Sequence, residues 1–397
     1  MDEPGDGIGE ALGTDYFSLS EPFTPEQQDV LTRVRAFVDG DVLPSINEYW
    51  ERAEFPWPLI RKMAGLKIFG AGIDGYGCAG LDPVSAGLVQ MELARGDGSL
   101  ATFHGVQAGL AMAAIHACGS EEQKQRWLPG LAALDKIGAF ALTEPDHGSD
   151  SIALATSARR DGDTWVLDGQ KKWIGNASLA DVIVVWARST EDEQVKGFLV
   201  EKGAAGFDPQ VITGKGSLRA VLQAEITLDG VQVDESNRLP GAETFADCGA
   251  VLARTRSDCA WMALGHAVAG YDAALSYAKA RTQFGKPLAS FQIVQQRLVR
   301  MLADVTAMQL YCMQIGRLAT AGKLTPTLAG LAKLHNTSKA RTILAEARDL
   351  LGGNGILLDH HVIRHMVDME SVHTFEGTET MQTLIVGRDI TGIGAFT

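Results

Sequence analysis

The chain is poor in the features that would place it outside the cell or in a membrane. Its five cysteines (Cys78, Cys118, Cys248, Cys259, Cys312) are odd in number, scattered, and include no C-x-x-C pair. Unpaired thiols in a reducing compartment are expected from that usage. No apolar run approaches the ~20 residues of a membrane span. The acidic, glycine-rich N-terminus lacks the basic-then-apolar order of a signal peptide and the arginines of a transit peptide, so the cytoplasm is the expected location. Positive charge is in deficit: 35 Lys and Arg against 49 Asp and Glu give −14, with no long basic run. Nucleic acid and anionic membrane are thereby disfavoured as main partners, while a few arginines or a helix N-terminus can still bind an anion locally. A P-loop and a G-x-S-x-G elbow are also missing, which removes the usual support for NTPase and serine-hydrolase chemistry.

What remains is an ordinary globular composition, 21% charged and 46% hydrophobic over 397 residues, long enough for two or three domains. Residues 1–20 read as a disordered tail. Residues 21–137 read as helical: Thr24-Pro-Glu-Gln is a cap, an N1 proline and a box-type glutamine, and further stretches cover 58–64, 83–95, 103–117 and 121–134. Over 138–243 the period changes to short β-branched or aromatic runs at 153–159, 164–167, 181–187, 197–200 and 223–228. Asp161-Gly162 and Asp229-Gly230 both read as hairpin turns, and the whole as a small antiparallel sheet. Over 244–397 the helical period returns at 248–282, 290–321, 325–351 and 361–388, predicting a four-helix bundle. The fold class is α+β in the order helical, β, helical.

Several stretches carry candidate chemistry. In Phe375-Glu-Gly-Thr, one carboxylate, Glu376, is followed at once by Gly377, which bares the main chain to a ligand. A base beside backbone donors is what proton removal next to a carbonyl requires, although a solvated Glu beside a Gly is the commoner case. Leu142-Thr-Glu-Pro with Gly148-Ser-Asp forms an irregular turn rich in hydrogen-bonding groups, and Lys172-Trp-Ile offers a tryptophan that could cover an aromatic ligand. Arg281-x-Gln-Phe-Gly285 and Gly352-Gly-Asn-Gly355 are C-caps or, together, a pyrophosphate site. Gly75-x-Gly77-x-x-Gly80 matches a dinucleotide fingerprint but has helical text on both sides, so a glycine-rich helix connection is the default. His360-His361-x-x-x-His365 has metal-like spacing without a third ligand.

In order and spacing these motifs resemble the acyl-CoA dehydrogenase family, over about residues 21–397. Val185-Trp-Ala-Arg, Ala347-Arg-Asp-Leu, Val362-Ile-Arg-His and Gly387-Arg-Asp-Ile are similar to the glutaryl-CoA dehydrogenases, with a short-chain branch that includes plant peroxisomal acyl-CoA oxidases close by. The resemblance implies an N-terminal helical domain, a middle β domain and a C-terminal four-helix bundle, assembled as a homotetramer of two dimers. It implies FAD between the β domain and the bundle, an acyl-CoA substrate, and electron-transfer flavoprotein as acceptor. By the same resemblance Leu142, Thr143, Trp173, Ile174 and Gly175 would meet the flavin ring. Ser149 would touch FAD or the CoA arm, and Thr378 and Phe396 would contact FAD. Arg281, Phe284, Gln292, Asp349, Gly352 and Gly353 of a neighbouring subunit would hold the pyrophosphate and adenine. Arg256 and Gly377 would lie on the substrate side, and Glu376 would remove the α-proton while the β-hydrogen leaves as hydride.

Two departures bear on specificity. Where glutaryl-CoA dehydrogenases place an arginine for the distal carboxylate this chain has Ala101, and the accompanying glutamate is Ala94. Leu100, Ala101, Thr102 and Phe103 therefore read as an apolar pocket end. Most relatives carry a threonine where this chain has Gly175. The expected activity is α,β-dehydrogenation of a short-chain acyl-CoA to trans-2-enoyl-CoA. Glutaryl-CoA dehydrogenation, an acyl-CoA oxidase and a non-catalytic flavin- or CoA-binding module are the alternatives.

Overall fold

The computed structural model describes residue 15 and residues 17–395. The tail expected over 1–20 lies mostly outside these residues; within them, Ser20 N–H donates to the Asp15 carboxylate at 2.7 Å and Leu19 packs on the core. Phe396 also lies outside them.

Helix α1 (Pro25–Phe37) begins where the sequence places it, with Thr24 and Gln27 exchanging side-chain-to-backbone bonds. Helices α2 (Ile46–Arg52) and α3 (Trp57–Met63) follow, and then α4 (Pro83–Gly96), capped by Asp82. The loop before α4 holds Gly75, Gly77 and Gly80 at positive φ, with no strand ahead of it, and so is a helix connection. Helix α5 (Gly98–His104), a π-helical stretch (Gly105–Met112) and α6 (Ala113–Cys118) run on without a break, ahead of α7 (Glu121–Ala132).

The sheet contains β1 (Gly138–Ala141), β2 (Ser157–Asp161), β3 (Thr164–Gly175), β4 (Val182–Ser189), β5 (Val195–Glu201), β6 (Phe207–Val211) and β7 (Gln223–Asp234). Its order is β1-β4-β2-β3-β7-β6, with β5 also on β4. Expected to be antiparallel, it carries two parallel pairings, since β4 runs alongside both β1 and β2. Asp161-Gly162 does open a hairpin, the Asp161–Thr164 pair closing β2 on β3. Asp229-Gly230 does not: β7 runs straight through it, and the positive φ of Gly230 coincides with a register shift against β3.

The last third is helical: α8 (Phe245–Ala280), α9 (Gln292–Thr320), α10 (Pro326–Leu350), α11 (Val362–Thr374) and α12 (Glu379–Thr391). A two-stranded hairpin, β8 (Thr282–Gln283) and β9 (Lys286–Pro287), follows α8. The fourth long helix expected over 361–388 is thus two helices, broken where Glu376 and Gly377 both adopt positive φ. Helices α4 and α8 approach so closely that a Cβ on Gly265 would sit 2.1 Å from the Met91 carbonyl oxygen and 3.0 Å from Ala94 Cβ. Helix α11 is anchored by a fully buried ion pair, Arg364 to Asp97 at 2.6 Å, and by Asp368, which accepts from the Leu218 N–H at 2.6 Å and from Trp50 Nε1 at 3.0 Å. That anchoring sets the position of the segment that follows α11. Among the described residues no helix is long and apolar enough to cross a membrane.

Candidate active site

Glu376 sits in the four-residue break between α11 and α12 with φ +57°, a left-handed conformation that costs a non-glycine residue energy. Three groups hold it there. The Thr255 hydroxyl on α8 donates to its carboxylate at 2.8 Å. Lys333 of α10, 1% exposed, donates to the carbonyls of Phe375 and Gly377. Gln382 Nε2 donates to the Glu376 and Gly377 carbonyls, at 3.0 Å each. The Glu376 N–H has no acceptor among the described residues. Burial raises the Glu376 carboxyl above its ordinary range, against the lowering effects of the Thr255 bond and of the Lys333 and Arg256 charges. The result is a carboxylate with elevated basicity beside an unpaired backbone donor. Arg256 is half-buried, and its Nε has no partner. Thr378 caps α12 through the Met381 N–H at 3.3 Å.

A second constellation forms where β1 ends. The Leu142–Glu144 turn is bolted to β3 by a buried ion pair, Lys171 Nζ to Glu144 Oε1 at 2.9 Å. Lys171 also donates to the Leu142 carbonyl at 3.0 Å, and Glu144 accepts the Ala155 and Thr156 N–H groups. Burial brings Lys171 down to about 8. Burial alone would raise Glu144, but Lys171 and the hydrogen bonds hold it down to about 2. Immediately after this lysine, the Lys172 N–H donates to the Thr143 carbonyl at 2.8 Å. Trp173 then swings outward at φ +64°, 55% exposed, where β3 shifts register. Leu142, Ile174 and Gly175 are buried beside it, Thr143 is half-buried and Ser149 is exposed. A Cβ on Gly175 would lie 2.9 Å from Val106 Cγ2, so the valine occupies the space a larger residue needs.

The third cluster lies at the end of α8. Arg281 is exposed and makes no ion pair among the described residues; Phe284, 93% exposed at φ +52°, contacts Phe291 at the entrance to α9, beside exposed Gln292. Asn354 donates to the Tyr277 hydroxyl at 2.9 Å, which draws the Gly352–Ile356 turn against the same end of α8. Gly352 and Gly353 face open space, and Asp349 pairs with Arg297 at 2.8 Å. No hydrogen bond or ion pair among the described residues joins this cluster to Trp173.

The segment read as a pocket end is deep in the helical core. Leu100, Ala101 and Phe103 are at most 1% exposed, with Phe103 between Phe55 and Phe69. Thr102 is 9% exposed, and its hydroxyl has no partner. Between Gly98 and Met112 the residues that keep solvent contact are Gly105, Val106, Gly109 and Leu110, all in the π-helical stretch. The histidine motif disperses: His365 meets His266 (Nδ1 to Nδ1, 2.9 Å), His361 meets Asn47, and His360 lies edge-on to Tyr277.

Four residues central to this geometry escape a reading by motif. Lys333 and Thr255 look like ordinary helix residues. The Glu144–Lys171 pair spans a separation that no local pattern marks.

Comparison with known proteins agrees with this architecture. Sequence models of the acyl-CoA dehydrogenase N-terminal, middle and C-terminal domains match residues 24–135, 139–231 and 246–391. The chain is 32% identical over 381 residues to the short-chain specific acyl-CoA dehydrogenase of Bos taurus mitochondria, covering 94% of this chain and 92% of that one. A glutaryl-CoA dehydrogenase of Mycobacterium smegmatis, solved in complex with FADH2, superposes with a TM-score of 0.94 at 40% identity, covering 96% and 98% of the two chains. Butyryl-CoA dehydrogenase of Megasphaera elsdenii gives 0.89 at 30% identity, with 93% and 98% covered.

Proposed function

Because this chain belongs to the acyl-CoA dehydrogenase family of flavin-dependent oxidoreductases, we propose that it converts a short-chain acyl-CoA thioester to the trans-2-enoyl-CoA with Glu376 as the base. The observation that carries the reading is the pairing within one residue: a carboxylate oriented by Thr255 at 2.8 Å and a main-chain N–H left without an acceptor. An α-proton of a thioester is weakly acidic, so the base needs a donor at the carbonyl oxygen as enolate character develops. Glu376 provides both, the carboxylate for the proton and the N–H for the oxygen. Its raised proton affinity brings the base nearer to its task.

The residues present fit FAD. Trp173 exposes its indole beside the polar Thr143 turn, and the Glu144–Lys171 bolt keeps that turn rigid. Such an apolar surface calls for a planar partner. Unpaired Arg281, with Phe284, Gln292 and the open Gly352-Gly353 backbone, suits a pyrophosphate and adenine, supplied by a neighbouring copy of the chain. FAD, when bound, supplies the acceptor for the hydride leaving the β-carbon. A cytoplasmic homotetramer that passes electrons to electron-transfer flavoprotein completes the reading.

A short, uncharged acyl group is favoured because the chain offers no carboxylate-binding pair at the two diagnostic positions. Ala101 and Ala94 are both fully buried. A glutarate head buried there without its cation would carry a large desolvation cost. One observation favours glutaryl-CoA as a second reading: the unpartnered Nε of Arg256 is a cation close to Glu376. Anaerobic titration decides between the two. Bleaching of the flavin by butyryl-CoA and not by glutaryl-CoA is expected; CO2 release from glutaryl-CoA would transfer the assignment to the second reading.

A further inference from the structure

Asp258 is a second carboxyl on the wall that carries the base, and nothing in the chain uses it. It lies one helical turn beyond Thr255 on α8, about 4.5 Å along the axis; Thr255 is the residue whose hydroxyl holds Glu376. Both side chains lie over bare backbone in the π-helical stretch: a Cβ on Gly109 would come 3.1 Å from Thr255 Cγ2 and 3.4 Å from Asp258 Oδ2. Asp258 is half-buried and makes no hydrogen bond to any described residue. Half-buried, the carboxyl keeps both oxygens available to the space beside the π-helical stretch, where water or a ligand completes its hydrogen bonding. Burial, with the Glu376 charge, pushes it up to about 7 against the opposing charge of Arg254. Near neutral pH such a group both donates and accepts.

We propose that Asp258 selects acyl-CoA substrates bearing a hydroxyl on the γ- or δ-carbon. This rests on the function proposed above, which puts the α-carbon at Glu376. One turn along α8 spans about three bonds of ~1.5 Å, so an acyl chain laid along α8 from Glu376 would bring its γ- or δ-carbon level with Asp258. An ammonium there would meet the Arg254 charge, and a carboxylate would meet two acids. An uncharged hydroxyl meets neither obstacle, and it can pair with Asp258 in either protonation state.

The test compares kcat/KM for 4-hydroxybutyryl-CoA against butyryl-CoA and for 5-hydroxyvaleryl-CoA against valeryl-CoA, using the FAD-loaded enzyme. At least one hydroxylated member is expected to be preferred about tenfold, the worth of one good hydrogen bond. Asp258→Leu should reverse that preference by weakening the hydroxylated substrate and improving its plain counterpart. Asp258→Asn, which keeps the shape and both hydrogen-bonding roles, should retain most of it. A wild-type ratio at or below one for both pairs overturns the inference while leaving the dehydrogenase assignment standing. So does a Leu variant that changes both members of each pair equally. If none of the four thioesters reduces the flavin, the assignment itself falls, and this inference with it.

Discussion

Two buried lysines, each beside a glutamate, are put to opposite uses. Lys171 gives its ammonium to the Glu144 carboxylate at 2.9 Å, and the pair becomes a fixed bolt with the acid held down to about 2. Lys333 gives its ammonium to the carbonyls on either side of Glu376 and leaves the carboxylate to a single neutral hydroxyl. The first acid is tied up by bonds from the cation and two backbone N–H groups; the second has its backbone tied and its head free. Burial raises the second because no direct ion pair opposes it. The same residue type serves as scaffold in one place and as the proposed base in the other, according to which atoms the lysine takes.

The widest separation between the two should come from removing the free acid. Glu376→Gln is expected to slow flavin reduction by about 10²- to 10⁴-fold, the usual worth of a positioned base, with FAD content unchanged; stopped-flow bleaching of the flavin absorbance reads it. Next come the lysines themselves. Lys171→Met strands a buried carboxylate and should cost roughly 3–5 kcal/mol of stability, seen as a lower Tm and loss of FAD. Lys333→Met leaves the Phe375 carbonyl without its donor and the Gly377 carbonyl with Gln382 alone, roughly 1–3 kcal/mol, and should depress the reduction rate more than the Tm. A Lys333 variant that melted early yet reduced its flavin normally would erase the contrast.

The smallest effect belongs to Thr255→Val. The threonine bond favours the ionised form of Glu376, so its loss should raise the carboxyl further. Because the base must be ionised to take a proton, the acid limb of the reduction rate already lies above the ordinary carboxylate range of ~4.3. In the variant it should move to still higher pH, with the rate at alkaline pH nearly unchanged. A limb that stayed in place or moved down would break the link between Thr255 and the base.

The sequence discloses the helical, β, helical order because capping boxes, apolar periodicity and Asp-Gly turns are local signals. It misplaces what depends on long-range pairing. Asp229-Gly230 has hairpin chemistry, yet β3 remains available as partner on both sides of it, so β7 continues. The final helix reads as one because a single carboxylate and glycine barely dent the periodicity, while Lys333 from α10 and Gln382 from within α12 enforce the break. Leu100–Phe103, read as a pocket end, are buried in the helical core, where hydrophobicity alone does not tell pocket wall from packing. The π-helical stretch that follows turns Val106 and Gly109 to the accessible side instead. Motif residues such as Glu376, Trp173 and Arg281 are legible because their chemistry is unusual for their surroundings. Lys333 and Asp258 are not, since a polar residue on a long helix is ordinarily on the outside.

The contact between Gly175 and Val106 couples two substitutions. With only 2.9 Å between the valine methyl and the point where a side chain would begin, a residue larger than glycine at 175 requires Val106 to give way. Replacing Val106 by alanine alone is tolerated sterically, whereas a hydroxyl-bearing residue at 175 is accommodated once that methyl has gone. The order in which the two changes can be introduced is therefore set by a single methyl group.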